Sequence, residues 1–317
     1  MGQQVSYKCQ DCGFEFENDG VSEFYIDNEY NQLHEFLPLI IPNENFSSSK
    51  IKGRIYKTYC NNCKRNIKVY SIKESSKSDA ETIDIVKSGD IIILNLPFEV
   101  NNINPVKGNL SVLWEDEYII VYDKPYDMPV HPTKIHQNDT LANLDAYRQR
   151  ELSESYRFRA INRLDKDTSG IVVIAKDRYT ASYLSGNVDK TYFAVCEGII
   201  NTSGTIDRPI KVMEGRSIQR VCADDGVKSV THYKPLILKN SCTLLEINLE
   251  TGRTHQIRTH FSSIGHPLLG DDMYGGSLER IERQALHCGE VSFIHPFSKE
   301  KIIIKSDLPN DMKKLTF

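Results

Sequence analysis

A chain of 317 residues with 39% hydrophobic content is long enough to bury a sizeable core and, on length, to form about two domains. No apolar run approaches the roughly 18 residues that a membrane span needs, and the polar start MGQQVSYKCQ has no signal-peptide core, so a cytoplasmic protein is expected. The formal net charge of −4 argues mildly against a nucleic-acid partner, because phosphate binding normally shows as an excess of Lys and Arg.

Charge is nevertheless sorted along the chain. Residues 1 to 35 hold eight acids and one base, Lys8, whereas residues 50 to 73 hold eight Lys or Arg and no acid. That basic run is interleaved with Tyr56, Tyr59 and Tyr70, side chains able to stack on unpaired bases, although a solvated basic face fits the same pattern. Four of the eight cysteines form two C-x-x-C units, Cys9 with Cys12 and Cys60 with Cys63. Each unit can place two thiolates on one knuckle, and four sulfurs close a tetrahedral shell around a structural zinc ion. The 47 residues between the knuckles exceed the common zinc-ribbon spacing, but no βαβ pattern surrounds the pairs as a thioredoxin-like redox motif needs. Cys196, Cys222, Cys242 and Cys288 stand singly and read as small buried hydrophobes in a reducing compartment. A zinc-ribbon-like lobe is therefore expected over residues 1–72, as an RNA-binding unit. A linker and short β segment follow over 73–109, opening with KESSKSDAE and containing IDIVKSGDIIILN at 83–95.

From residue 110 to 317 the pattern is mixed α and β. YIIVY at 118–122, IVVIA at 171–175 and KIIIK at 301–305 are strand-like, and TLLEINL at 243–249 partly alternates. Leu141, Leu144 and Tyr147 follow a helical spacing after Asp139, as do Ile257, Phe261 and Ile264 between Thr254 and Gly265.

Chemistry concentrates in three segments. INRLDKDTSGIVVIAKD at 161–177 joins a loop to a buried strand: Gly170 permits a tight entry, Thr168 and Ser169 can satisfy loose backbone groups, and Asp165 stands between Arg163 and Lys166. A charged turn before a strand accounts for it equally well when it is taken alone. In KTYFAV at 190–195, period-2 geometry sends Lys190, Tyr192 and Ala194 to one face and Thr191, Phe193 and Val195 to the other. LETGRTHQIRTHFSSIGHPLLGDDMYGG at 249–276 gathers Arg253, His255, Arg258 and His260 near a helix N-terminus, where cations oppose the dipole. An anionic counterpart is implied, either phosphate or a carboxylate such as Asp165.

Together these segments resemble the RluA family of pseudouridine synthases, whose signature runs H-R-L-D-x-x-T-S-G-L, then K-x-Y, then T-G-R-x-H-Q-I-R-x-H. VLWEDEYIIVYDKPYDMPVHP at 112–132 and ALHCGEVSFIHPFSKEKIIIKSDLP at 285–309 are similar to the family's flanking segments, so the resemblance covers roughly residues 110–315. It implies an α+β fold, a mainly antiparallel mixed sheet with flanking helices around an RNA-binding cleft. The activity implied is isomerisation of uridine in RNA: the N1–C1′ bond breaks, the uracil turns, C5 joins C1′ and the C5 proton leaves. No electrons change hands, so no cofactor is expected for catalysis.

The resemblance carries the family's catalytic aspartate onto Asp165, its active-site tyrosine onto Tyr192, and the arginine that pairs with the aspartate onto Arg258. It carries onto Arg163 the arginine that enters the helix where the uridine has flipped out. Asn162, Lys190, Arg253, His255 and Gln256 complete the expected substrate-binding set, and Cys9, Cys12, Cys60 and Cys63 the expected metal set. The expected partner is ribosomal or transfer RNA, with no membrane or protein partner. Two features depart from the family: Asn162 replaces the usual histidine before R-L-D, and the cysteine-bounded lobe stands where many members carry an S4-type RNA-binding domain. Two other readings compete, a non-catalytic RNA-binding protein on the same fold and a zinc-dependent redox or hydrolytic enzyme centred on the cysteines.

Overall fold

The computed structural model describes residues 101–316 except Ser217, and in the preceding segment the backbone of seven strands. The chain divides into two compact units, Met1–Glu99 and Val100–Phe317. In the first, β1 (Gln4–Lys8) pairs antiparallel with β2 (Glu15–Asp19). A five-stranded sheet joins β3 (Ser22–Tyr25), β4 (Lys52–Tyr59), β5 (Asn66–Lys73), β6 (Glu81–Thr82) and β7 (Ile91–Asn95) in the order β3-β7-β5-β4-β6. The basic run therefore supplies the antiparallel β4–β5 pair, and the stretch expected as a linker contributes β6 and β7 to the same sheet. Cys9, Cys12, Cys60 and Cys63 lie outside the described residues.

The second unit is built on one ten-stranded sheet. Its strands are β8 (Ser111–Glu115), β9 (Ile119–Lys124), β10 (Arg159–Ala160), β11 (Ser169–Ala175), β12 (Val188–Glu197), β13 (Gly204–Asp207), β16 (Val230–Lys239), β17 (Cys242–Leu249), β18 (Leu286–Ile294) and β19 (Lys301–Lys305). The order is β13-β16-β17-β12-β18-β11-β9-β8, with β10 on β11 and β19 on β18. Only β11 and β18 pair in parallel, at Ser169 with His287 and Gly170 with Cys288. A separate hairpin joins β14 (Ile210–Val212) to β15 (Arg220–Cys222). The helices are α1 (Leu141–Glu151), α2 (Arg178–Leu184), α3 (Gln256–Ser263) and α4 (Asn310–Thr316). Among the described residues no helix is long and apolar enough to cross a membrane.

The apolar runs become strands because both faces of the sheet centre are covered. Ile119 to Tyr122 and Ile171 to Ala175 are wholly inaccessible to solvent, and each large side chain so buried contributes about 1.5–3 kcal/mol. On β12 the expected alternation holds: Tyr192, Ala194 and Cys196 join the main core, while Phe193 and Val195 pack with Leu244, Leu269 and Met312 on the opposite side. Helix α1 starts one residue later than expected. The Thr140 side chain accepts the Asn143 amide and Asn143 reaches back to the Thr140 N–H, a reciprocal cap, whereas the Asp139 carboxylate is drawn to His136. Cys196, Cys242 and Cys288 are buried and, with half-buried Cys222, carry free thiols.

Candidate active site

The loop bearing Asp165 is fixed from both sides by buried cations. Lys124, fully buried at the end of β9, donates from Nζ to the carbonyls of Pro125 (2.8 Å), Met128 (2.8 Å) and Lys166 (3.1 Å). Each ammonium proton thus finds an acceptor, while burial pushes the pKa down to about 7 against the pull of Asp167 and Asp165. Arg283 donates from Nη1 to the Asp167 carbonyl and clasps Asp311 of α4 through Nε and Nη2. The chain then enters β11 through Gly170 at φ 112°, where a Cβ would stand 2.2 Å from the Cys288 carbonyl oxygen. Only glycine permits that close parallel pairing. Thr168 and Ser169 do not satisfy local backbone groups as expected. Their hydroxyls meet the side chains of Gln284 and His287, which reach across from the segment entering β18.

Helix α3 delivers Arg258 to the aspartate. Its Nη1 donates to Asp165 Oδ2 at 3.1 Å, and the other edge of the guanidinium makes a two-pronged pair with Asp271, Nε to Oδ2 at 2.7 Å and Nη2 to Oδ1 at 2.8 Å. Burial opposes the charge on Arg258, but the hydrogen bonds and charge of Asp271, and then Asp165, outweigh it and raise its pKa above the ordinary value. The expected anionic counterpart of the cation cluster is thus two carboxylates. His255 caps the helix in a left-handed conformation, φ 55°, without a side-chain capping bond. Its Nε2 lies 3.6 Å from Asp165 Oδ2 and its Nδ1 2.9 Å from the Tyr274 hydroxyl.

These groups open into a cleft of about 380 Å³ whose walls include Arg163, Asp165, Tyr192, Arg253, His255 and Arg258. Tyr192 is buried to 7% exposure, and burial, then Cys288 and Asp165, push its pKa well above the ordinary value. The ring therefore offers a flat apolar face and a protonated hydroxyl, not a ready phenolate. Arg163 and Arg253 are exposed at the rim.

The expected substrate-binding set divides on this geometry. Gln256 lines the cleft, yet its amide is fully committed: Oε1 accepts from Thr251 and from the Arg253 N–H, and Nε2 donates to Val230 and Thr231. It shapes the T-G-R turn. Asn162 does not line the cleft; its amide bridges the Ile171 carbonyl and the Val173 N–H, tying the loop to β11. Lys190 is also absent from the walls and donates to the Val188 carbonyl. His260 is wholly buried between Thr231 and the Arg208 carbonyl, away from the aspartate. Asp271 and Tyr274 were missed from the sequence. The only local signal was their place in the polar run GDDMYGG, where burial is invisible.

The family profile for RNA pseudouridylate synthase matches residues 118–263. A protein of Bacillus subtilis described as an uncharacterized RNA pseudouridine synthase, YhcT, is 40% identical over 240 residues, 73% of this chain and 80% of its own length. The ribosomal large subunit pseudouridine synthase D of Pseudomonas aeruginosa is 36% identical over 248 residues, 72% and 78% of the two chains. The structure of human RNA pseudouridylate synthase domain containing 1 superposes with a TM-score of 0.52 at 26% identity, over 65% of this chain and 86% of that one. Fold and relatives together define an isomerase acting on uridine within RNA. The chain belongs to the RluA family of RNA pseudouridine synthases, whose reaction requires no cofactor.

Proposed function

We propose that this enzyme isomerises uridines of large-subunit ribosomal RNA, with Asp165 as the carboxylate that acts on the sugar. The RNA class is favoured by the relatives named ribosomal large subunit pseudouridine synthase D; transfer RNA, the other expected substrate, has no such support. The observation that carries the aspartate assignment is the convergence of Arg258 Nη1 and His255 Nε2 on one oxygen of Asp165 at the floor of the cleft. A carboxylate held in one direction can attack C1′ or take the 2′ proton. Tyr192, whose ring lines the cleft, stacks on the uracil and is the candidate to help remove the C5 proton. Arg163 at the rim fills the space left in the RNA when the uridine flips into the cleft.

The zinc reading of Cys9, Cys12, Cys60 and Cys63 rests on the C-x-x-C spacing, and the basic run at 50–73 would let the preceding unit grip RNA. The free thiols of the catalytic unit suit a reducing cytoplasm. The test is pseudouridine mapping on total RNA from cells lacking the gene, complemented by wild type or Asp165→Asn. Sites that vanish in the deletion and return only with wild type are expected; a ribosomal map unchanged by the deletion, or restored by Asp165→Asn, refutes the assignment.

A further inference from the structure

Three histidines of the catalytic unit, the buried His260 and His287 and the half-buried His255, share one pattern of partners. In His260 and His287, Nδ1 faces a hydroxyl, Thr231 Oγ1 or Ser169 Oγ, while Nε2 faces a main-chain carbonyl, Arg208 or Ser306. A carbonyl only accepts, so the proton of the neutral ring sits on Nε2 and the hydroxyl donates to Nδ1. His255 repeats the pattern with a different acceptor. Its Nδ1 meets the Tyr274 hydroxyl at 2.9 Å, and that hydroxyl already accepts the Arg220 N–H at 2.8 Å, leaving its own proton for His255. Nε2 then carries the ring proton toward Asp165 Oδ2, 3.6 Å away. Burial lowers the His255 pKa, Asp165 only partly opposing it, which agrees with a neutral ring.

Among the described residues, both donors aimed at the Asp165 side chain, Arg258 Nη1 and His255 Nε2, point at Oδ2, and no hydrogen bond reaches Oδ1. The two oxygens of a free carboxylate are equivalent; these donors make them different. We propose that His255 is a positioning residue, locked as its Nε2–H tautomer by Tyr274, whose proton holds Asp165 Oδ2 so that Oδ1 is the oxygen presented to the sugar. The separation of 3.6 Å is longer than a hydrogen bond, and such contacts tighten when substrate fills the site. The left-handed backbone at His255, unusual for a residue with a Cβ, is the conformation that turns the ring between Tyr274 and Asp165. Because the hydroxyl is held by β15 through the Arg220 N–H, the hairpin β14–β15 is linked to the catalytic carboxylate by two side chains.

This inference rests on Asp165 being the acting carboxylate, and the experiment separates the two. Nitrogen-15 NMR of the imidazole groups in the intact wild-type chain should show His255 as the Nε2–H tautomer, and Tyr274→Phe should shift it toward a mixture. Single-turnover conversion is then measured with enzyme in excess over total RNA from cells lacking the gene, and RNA affinity by filter binding. His255→Asn suits the left-handed backbone, but its shorter amide cannot occupy the Nε2 position. It should slow conversion about tenfold or more with RNA affinity unchanged, and Tyr274→Phe should slow it by a smaller factor, in proportion to the Nε2–H fraction it loses. His255→Gln, whose amide nitrogen reaches that position, should recover most of the lost rate. A wild-type Nδ1–H tautomer, or full-rate conversion by His255→Asn beside an inactive Asp165→Asn, overturns the positioning role. Full conversion by Asp165→Asn instead overturns the assignment on which it rests.

Discussion

Arg258 is bound more firmly to Asp271 than to Asp165: two hydrogen bonds of 2.7 and 2.8 Å on one side, a single bond of 3.1 Å on the other. Asp271 is 1% exposed, so this is a buried ion pair that aims the remaining Nη1 at the catalytic carboxylate. Removing one partner of such a pair strands a charge and costs about 3–5 kcal/mol. Asp271→Ala should therefore lower the urea midpoint strongly. Arg258→Lys, which keeps the charge but cannot span two carboxylates, should keep more of the stability and lose most of the single-turnover rate. A fully active Arg258→Lys enzyme would show that charge alone suffices.

Gly170 sets the height of the Asp165 loop against β18. With φ at 112° and the Cys288 carbonyl oxygen 2.2 Å from where a Cβ would be, alanine here strains the backbone and collides with main chain. Gly170→Ala should cost at least about 1–3 kcal/mol by thermal or urea unfolding, whereas Gly186→Ala, also at positive φ but with open space around it, should cost less.

The buried histidines make stability depend on acid. Burial holds the pKa values of His255, His260 and His287 below the ordinary 6.5. Between their folded values and 6.5 the unfolded chain binds more protons than the folded one, so stability is fully present above 6.5 and is lost as pH falls through the folded values. Each can contribute a slope of up to about 1.4 kcal/mol per pH unit within that window. Urea midpoints should fall below pH 6.5, a fall that His260→Gln should shallow, while buried Lys124, with its pKa near 7, adds a separate rise in stability from pH 7 to 8.

Arg163 stands exposed at the rim of the cleft, so its loss should leave stability within about 0.5 kcal/mol. Arg163→Ala is expected to lower kcat/KM on RNA by tenfold or more at an unchanged melting temperature. Equal kcat/KM values would remove it from uridine extrusion.

The paired cysteines should bind one zinc ion per chain. Metal analysis with thiol titration is expected to show four thiols protected until chelation, with the buried Cys196, Cys242 and Cys288 accessible only on unfolding and the half-buried Cys222 reacting in the folded chain. Four freely reactive paired thiols in a metal-free active enzyme would exclude the site.

By itself the sequence determined the strands of the sheet centre, because runs such as YIIVY and IVVIA have few other ways to bury their side chains, and it determined the family, because three motifs stand in one order. It also placed Asp165, Tyr192 and Arg258 as candidates. Only the tertiary structure decided what holds them. Arg258 and Asp165 lie 93 residues apart and meet through the register of the sheet and the placement of α3. The roles of Asp271 and Tyr274 depend on burial, which a polar run such as GDDMYGG does not reveal. Asn162 and Gln256 carry donors and acceptors suited to a substrate, yet backbone and neighbouring groups already satisfy theirs, and Lys190 turns back to its own strand's Val188 carbonyl. A polar side chain's partner is set by whichever group the fold brings within about 3 Å, and that distance is a property of three dimensions, not of spacing along the chain.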